Sequence, residues 1–298
     1  MNRVQLQGYL FVLITMCIWG GFTILSRLSA KWGIVAWDLT ALRFAFAFVI
    51  LLPILLYQRN YQFLFQKQAI VLALFGGIGY CLTVYSGFYF APAAHAAIFL
   101  NGFIPVCTAL AAYIIYKQPF DRNVWIRVII MSLSLMLMTY LLALNSHQPF
   151  GLGDVLFVLG AVCWGIFTVL LRESSLTAWQ AMSSVAIWSA IMYLPVYVLF
   201  MPKHLAQVEP EHLLIQTLFH GILVVIVATL SYVEAIKRLG AFQAGSIVTL
   251  APFIAAVLAI PLLNEPVSPA IICGLIGIGF GALQPWRWLA YRRHKPVI

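Results

Sequence analysis

The stretch Trp19–Arg27 reads WGGFTILSR, and a close copy, WGIFTVLLR, occupies Trp164–Arg172, 145 positions later. Six of the nine positions are identical, and both copies lie in the middle of long apolar runs. Self-similarity at a fixed offset is the sequence signature of a duplicated structural unit. The chain is therefore predicted to contain one unit of about half its length, used twice.

The amino-acid composition excludes a water-soluble globular protein. Of the 298 residues, 63% are hydrophobic and 8% are charged, whereas about 25% are charged in soluble domains. The net charge of +9 does not indicate nucleic-acid binding, because outside the C-terminal tail the basic residues lie singly or in pairs between apolar runs. The five cysteines lie inside apolar runs without C-x-x-C spacing, so no disulfide framework, metal site or cofactor is predicted.

Runs long enough to cross a bilayer as a helix, about 20 mostly apolar residues, recur ten times along the chain. The predicted spans are 8–28, 37–57, 69–90, 94–116, 124–143, 151–172, 179–201, 212–235, 241–262 and 267–289. Their short connections carry turn residues and leave no room for a soluble domain. The sequence thus predicts an all-α integral membrane protein with ten transmembrane helices.

The distribution of lysine and arginine predicts the orientation of these helices. With the N-terminus inside the cell, 13 of the 17 basic residues fall on the cytoplasmic side. Arg27, Lys31 and Lys203 fall outside, and Arg43 lies within a span. Because cytoplasmic loops carry the excess of basic residues, both termini are predicted to be cytoplasmic, and the bilayer is the inner (cytoplasmic) membrane.

The repeat extends beyond the opening motif. At an offset of 147, Tyr85 pairs with Tyr232, Pro105 with Pro252, and Gln118-Pro119 with Glu265-Pro266. Five spans per unit is an odd number, so the second copy enters the membrane from the opposite side. The prediction is an inverted 5+5 repeat, with units 1–145 and 146–298 and a substrate site between them.

Several segments together resemble one known family. These are Leu42-Arg43-Phe44, the run Ala91–Ile98 with Pro105 and Tyr116-Lys117-Gln118-Pro119, and in the second half Gly151–Arg172, Arg238–Ala241, Pro252 and Asn264-Glu265-Pro266. Their order and spacing resemble the ten-helix drug/metabolite transporter superfamily, and within it the EamA-like exporters. Two positions depart from the family pattern. Gln118 replaces the usual glutamate, and Trp188 stands where the second copy would repeat Arg43.

The resemblance implies a secondary transporter that exports small organic metabolites, amino acids or drug-like compounds by alternating access. It implies a central cavity lined mainly by spans 1, 3, 4, 6, 8 and 9, and protons are a candidate coupling ion. Motifs of proteases, hydrolases, P-loop enzymes and dinucleotide-binding enzymes are absent from the sequence, so no enzymatic activity is predicted. The alternative is a non-transporting membrane protein, either an intramembrane enzyme or a sensor.

Aromatic and polar side chains within the spans are the candidate substrate-binding residues. Aromatic rings stack on apolar or cationic ligands, and glycine permits close helix approach. A second interpretation stays open for each residue, namely helix packing or lipid contact. The candidates are Trp19, Phe22, Thr23, Tyr80, Tyr85, Asn101, Trp164, Thr168, Tyr232 and Gln243.

Ionisable groups within spans are costly and are therefore candidates for gating or proton coupling. An ion pair between Asp38 and Arg43 is expected near the outer surface. His95 and His220 are expected to be hydrogen-bonded core histidines or proton carriers. Capping, pairing with loop residues or snorkelling would also account for Glu234 and Asp154, which lie near helix ends. Arg27 and Arg172 are expected at the two membrane surfaces, where they are interpreted as snorkelling anchors, with gates as the alternative.

Overall fold

The computed structural model describes residues 3–117, 122–144, 150–239, 244, 247–248, 250–265 and 268–283. Across these ranges the chain is helical and contains no β-strand, which confirms the all-α prediction. The helices are α1 Arg3–Lys31, α2 Ala36–Gln58, α3 Lys67–Phe90, α4 Ala93–Tyr116, α5 Arg122–Leu144, α6 Leu152–Arg172, α7 Ala178–Phe200, α8 Pro210–Leu239, α9 Ala251–Leu263 and α10 Pro269–Leu283.

Seven of these helices, α1 to α4 and α6 to α8, are long and apolar enough to cross a membrane. Shorter apolar stretches, Phe253–Leu263 and Ile271–Gly281, lie in α9 and α10. The outward surface of the long helices is apolar as well. In α7, for example, Leu199 and Phe200 are 72% and 78% exposed. A helix in water keeps a polar outer face, so this surface is suited to lipid. Gln118, Pro119, Gln243 and the C-terminal basic tail lie outside the described residues.

Three of the described helices contain π-helical turns, which are wider than α-helical turns. The segments are Leu74–Gly79 in α3, Ala97–Gly102 in α4 and Phe219–Ala228 in α8. Hydroxyls from neighbouring helices bind carbonyls that border two of them. Thr15 Oγ1 donates to the Ala228 carbonyl and Ser189 Oγ to the Ala73 carbonyl, each at 3.3 Å. Irregular backbone in a membrane needs such partners, and π turns occur frequently at functional sites.

Helix packing follows the sequence repeat. Helix α1 packs against α8 and α9, and α6 packs in the same way against α3 and α4. Helix α2 packs against α7, and α5 packs against α10. Exchanging each helix with the helix five places later leaves these pairings unchanged. The packing of the described helices is therefore related by the same duplication as the sequence.

The glycines of the duplicated motif lie at matching contacts. A Cβ atom on Gly20 of α1 would lie 3.0 Å from the Ile254 side chain of α9. A Cβ atom on Gly165 of α6 would lie 2.8 Å from the backbone of Cys107 and Thr108 in α4. Close helix approach therefore explains glycine at both positions. This supports the packing interpretation of the two glycines.

The two ends of the helix bundle differ in charge. Helices α1, α3, α7 and α9 finish at one end, which we call the acidic end. It carries Asp38, Asp154, Glu209, Glu211 and Glu265. We call the opposite end the basic end. It carries Arg59, Lys67, Lys117, Arg122, Arg172, Lys237 and Arg238.

Candidate functional site

Aromatic side chains from α1, α3, α6 and α8 form one cluster. The ring of Phe22 lies 6.3 Å from Tyr80, 5.9 Å from Tyr85 and 5.4 Å from His220, measured between centroids. Tyr80 in turn packs on Trp164 of α6 at 4.7 Å. His220 lies in the π-helical segment of α8, and Tyr80 directly follows that of α3. The structure thus brings together five residues that the sequence predicted separately.

A buried chain of hydrogen bonds joins α2, α3 and α8 beside this cluster. Arg43 Nη1 donates to Tyr85 Oη at 3.0 Å, and Tyr85 Oη lies 3.0 Å from His220 Nδ1. Arg43 is 7% exposed and His220 is fully buried. Within the described part of the chain, neither Arg43 Nε nor His220 Nε2 has a hydrogen-bond partner. The Arg43–Tyr85–His220 series of hydrogen bonds therefore ends in an unpaired nitrogen atom at each side.

The two repeated tryptophans each pack on a tyrosine from the other half of the sequence. Trp164 contacts Tyr80, and Trp19 contacts Tyr232 of α8 at 5.3 Å. Both tryptophans are partly exposed. Trp19 and Trp164 therefore each belong to an aromatic pair that joins the two halves of the sequence. The two tyrosines are not repeat partners, because Tyr232 corresponds to Tyr85.

The remaining predicted lining residues lie in different settings. Thr23 is buried in α1. Thr168 Oγ1 donates to the Trp164 carbonyl of its own helix at 2.7 Å. Asn101 is half-buried in the π-helical segment of α4. Gln243 is outside the described residues.

The expected Asp38–Arg43 ion pair is not formed. Asp38 is fully buried at the acidic end, where Tyr197 Oη donates to Oδ1 at 2.6 Å and the His204 amide donates to Oδ2 at 3.0 Å. Arg43 turns instead toward Tyr85. Because Asp38 and Arg43 are five positions apart, their side chains lie on different faces of α2. Each therefore has its partner on a different neighbouring helix.

His95 and Asp154 form a buried pair that joins α4 to α6. His95 Nδ1 lies 2.8 Å from Asp154 Oδ1, and each side chain is 1% exposed. Asp154 Oδ2 also accepts from the Gly151 amide at 2.9 Å, which caps the first turn of α6. The capping expected of Asp154 is thus present. His95 Nε2 has no hydrogen-bond partner among the described residues.

Arg27 binds groups on other helices, which the sequence-based expectation of a surface anchor did not include. Its Nε donates to Glu265 Oε1 at 2.7 Å, and its Nη1 donates to the Phe88 carbonyl at 2.5 Å. Glu265 Oε2 also accepts from the Ala93 amide at 2.9 Å. The anchor expectation considered α1 alone, whereas α9 and the α3–α4 junction also meet Arg27 at the acidic end. Arg172, with a side chain 72% exposed at the basic end, fits an anchor.

Glu234 has partners within its own helix. It pairs with Lys237 at 2.8 Å and with Arg238, and its side chain is 34% exposed. Its ion-pair partners are therefore two residues of the last turns of α8. Across the described ranges, no three His, Cys, Asp or Glu side chains come together as a metal site.

Three buried contacts were not anticipated from the sequence. Gln216 is fully buried and its Nε2 donates to the Leu25 carbonyl of α1 at 2.8 Å. Tyr197 binds Asp38, and Trp188 Nε1 donates to the Leu64 carbonyl at 2.7 Å. Sequence topology assigned Arg27 and Glu265 to the same membrane surface, and that signal could have suggested their contact.

Comparison with known proteins agrees with the duplicated architecture. The model of the EamA-like transporter family matches the chain twice, over residues 6–140 and 151–284. A crystal structure described only as that of a protein superimposes with a TM-score of 0.64 at 19% sequence identity, covering 97% of this chain and 99% of the other. At that identity the likeness concerns the fold alone. No curated protein matches the chain significantly.

The two family matches together span most of the sequence, and each contains one copy of the repeated tryptophan motif. The apolar helices and the family matches together make this a multi-pass membrane transporter of the drug/metabolite type. The chain belongs to the EamA-like transporter family.

Proposed function

We propose that this transporter exports small organic metabolites, such as amino acids, or drug-like compounds across the inner membrane by alternating access. The observation that carries the proposal is the cluster around Phe22, where aromatic rings meet the buried Arg43–Tyr85–His220 chain. Rings supply stacking surface for an organic body, and buried unpaired polar atoms supply directional contacts. Such a combination is typical of a small-molecule site.

The proposed architecture is an inverted repeat of ten transmembrane helices, with units 1–145 and 146–298. Its support is the exchange symmetry of the helix contacts and the paired π-helical segments in α3 and α8. We assign the basic end to the cytoplasm, because cytoplasmic loops carry the excess of lysine and arginine. Both termini then lie in the cytoplasm, and the substrate site lies between the two units.

Contacts at the acidic end support a conformation that is closed toward the outside. Arg27, Glu265 and Ala93 tie α1 to the end of α9 and to the α3–α4 junction. His95 and Asp154 tie α4 to α6. At the basic end, the described ion pairs of Glu234 stay within α8. Alternating access requires the acidic-end contacts to break when the site opens outward.

Proteoliposome flux tests the proposal. Vesicles containing the purified protein are loaded with a mixture of labelled metabolites, and efflux and counterflow are measured. We expect Trp19→Ala and Trp164→Ala to reduce flux at unchanged expression, because each removes one ring of an aromatic pair. Trp125→Ala is the control, since that side chain is 51% exposed on α5. No substrate-dependent flux for any compound would favour an enzyme or a sensor instead.

We further propose protons as the coupling ion, with the buried His95–Asp154 pair as the proton carrier. Internal pH is followed during transport in His95→Ala, His220→Ala and Glu234→Gln variants. We expect coupling to be lost in His95→Ala and kept in Glu234→Gln, whose partners are local. Unchanged coupling in all three variants would indicate a uniporter or an exchanger.

A further inference from the structure

Arg43 is a buried cation without a carboxylate partner. Its guanidinium keeps its charge in proteins, and its side chain is 7% exposed. No aspartate or glutamate of the described residues forms an ion pair with it, because Asp38, the nearest in sequence, is bound to Tyr197 and His204. Besides Tyr85, which accepts from Nη1, the ionisable side chains close to Arg43 are Tyr80, Cys81 and His220, and none of them is a carboxylic acid. An uncompensated charge at this depth is costly and indicates a ligand counter-ion.

We propose that Arg43, together with His220, binds the carboxylate of the substrate, so that this transporter carries organic monocarboxylates with an apolar or aromatic body. The inference rests on the proposed transport function and specifies the chemistry of the same site. It assigns Arg43 as the counter-ion and the Phe22 cluster as the wall for the organic part.

The hydrogen bonds between Arg43, Tyr85 and His220 leave two N–H donors without an acceptor. Arginine can only donate, so Tyr85 Oη accepts from Arg43 Nη1. As part of the proposal, the Tyr85 hydroxyl is assigned as the donor to His220 Nδ1, which lies 3.0 Å away. A neutral His220 then carries its proton on Nε2. Arg43 Nε and His220 Nε2 are thus two N–H donors, and neither has a partner in the described part of the chain. The acceptor that both lack is supplied by an anionic oxygen.

The guanidinium also has the geometry for this ligand. Tyr85 occupies Nη1, while Nε remains unpaired, and the edge that includes Nε can bind the two oxygens of a carboxylate side by side. One guanidinium balances one negative charge. A second carboxylate would be left unpaired in the same buried region, which disfavours dicarboxylates.

The organic body of the ligand lies against the aromatic rings. Phe22 contacts both Tyr85 and His220, and Tyr80 connects Phe22 to Trp164. An aromatic or aliphatic group attached to the carboxylate therefore meets ring surface directly beside the charged anchor. Aromatic rings of the protein stabilise an aromatic ligand that packs on them in offset or edge-to-face geometry.

Matched ligand pairs test the proposal. Binding of phenylacetate and phenylalanine to the full-length protein in nanodiscs is compared with binding of phenylacetamide and phenylalaninamide, by thermal stabilisation and by competition. We expect each carboxylate to bind about tenfold or more tightly than its amide, because the charge-assisted hydrogen bonds are lost in the amide. Arg43→Gln is expected to bring the members of each pair to near equal affinity, and Arg172→Gln, which alters an exposed arginine, to leave the preference intact.

Equal binding of carboxylate and amide to the unaltered protein would overturn the proposal, as would a preference that survives in Arg43→Gln. The ligand pairs need no variant, so the proposal is tested even if Arg43→Gln does not accumulate, and His220→Asn provides a second variant. Transport of amines or neutral compounds without carboxylate preference would overturn the carboxylate assignment alone. Absence of flux for every class would overturn the transport function itself.

Discussion

Glu265→Gln tests whether the acidic end is held closed by charge. Glu265 accepts hydrogen bonds from Arg27 Nε at 2.7 Å and from the Ala93 amide at 2.9 Å, and Lys31 Nζ lies 3.7 Å away. Glutamine keeps an oxygen that can accept one of these bonds but removes the negative charge. We therefore expect the three segments to separate more readily, without loss of the fold.

The burial of the Arg27–Glu265 ion pair determines how much free energy its disruption costs. The side chains of Arg27 and Glu265 are 18% and 9% exposed. Exposed pairs contribute about 0–1 kcal/mol, whereas disrupting a fully buried pair costs about 3–5 kcal/mol. Because this pair is mostly buried and glutamine retains one hydrogen bond, we expect a cost of about 1–2 kcal/mol, which increases the population of open states by about 5–30-fold.

Hydrogen–deuterium exchange measures that population at the α3–α4 junction, where the Ala93 amide is protected by Glu265. Exchange of peptides that cover this junction is expected to accelerate about 5–30-fold in Glu265→Gln. Glu211→Gln is the matched control, because it removes the same charge from an exposed position at the same end. Unchanged exchange in Glu265→Gln, or equal acceleration in Glu211→Gln, would refute the role of the ion pair.

Two further pairs of variants test contacts between helices, each by thermal unfolding in detergent. Gly165→Ala is expected to lower the free energy of unfolding by about 1–3 kcal/mol, because the new Cβ meets rigid backbone at 2.8 Å. Gly20→Ala meets the Ile254 side chain at 3.0 Å, which can turn away, so a smaller loss is expected. Equal losses would contradict the difference in contacts. Tyr197→Phe removes the hydroxyl that donates to the buried Asp38 carboxylate, and we expect a cost of about 1.5–3 kcal/mol. Tyr193→Phe removes a bond to the neutral Trp37 carbonyl and should cost about 0.5–1.5 kcal/mol. A reversed order would show that Asp38 does not depend on Tyr197.

Positions of the helices were predictable from the sequence. The predicted spans 37–57 and 179–201 correspond to Ala36–Gln58 and Ala178–Phe200. A hydrocarbon layer imposes its thickness on every helix, so length and apolar character are recorded locally in the chain. The duplication was equally visible, because equivalent helix contacts retain the same residues, as Gly20 and Gly165 do.

Partners of the polar residues were not predictable in the same way. Asp38 and Arg43 are five residues apart on one helix, yet one binds Tyr197 and the other binds Tyr85. Arg27 was assigned to the membrane surface, yet it pairs with Glu265, 238 positions away in the sequence. Sequence spacing indicates which face of a helix a residue occupies, but the helix that packs on that face is chosen by the whole bundle.

The sequence by itself thus determined that this protein is an apolar, duplicated helical bundle with a tryptophan motif in each half. Only the tertiary structure decided that five of the polar and aromatic residues lie together, namely Phe22, Tyr80, Tyr85, His220 and Arg43. The physical reason is the range of the interactions. Transfer into lipid depends on each segment's own side chains, whereas a hydrogen bond or a ring contact depends on atoms within a few ångströms, contributed by helices far apart in the sequence.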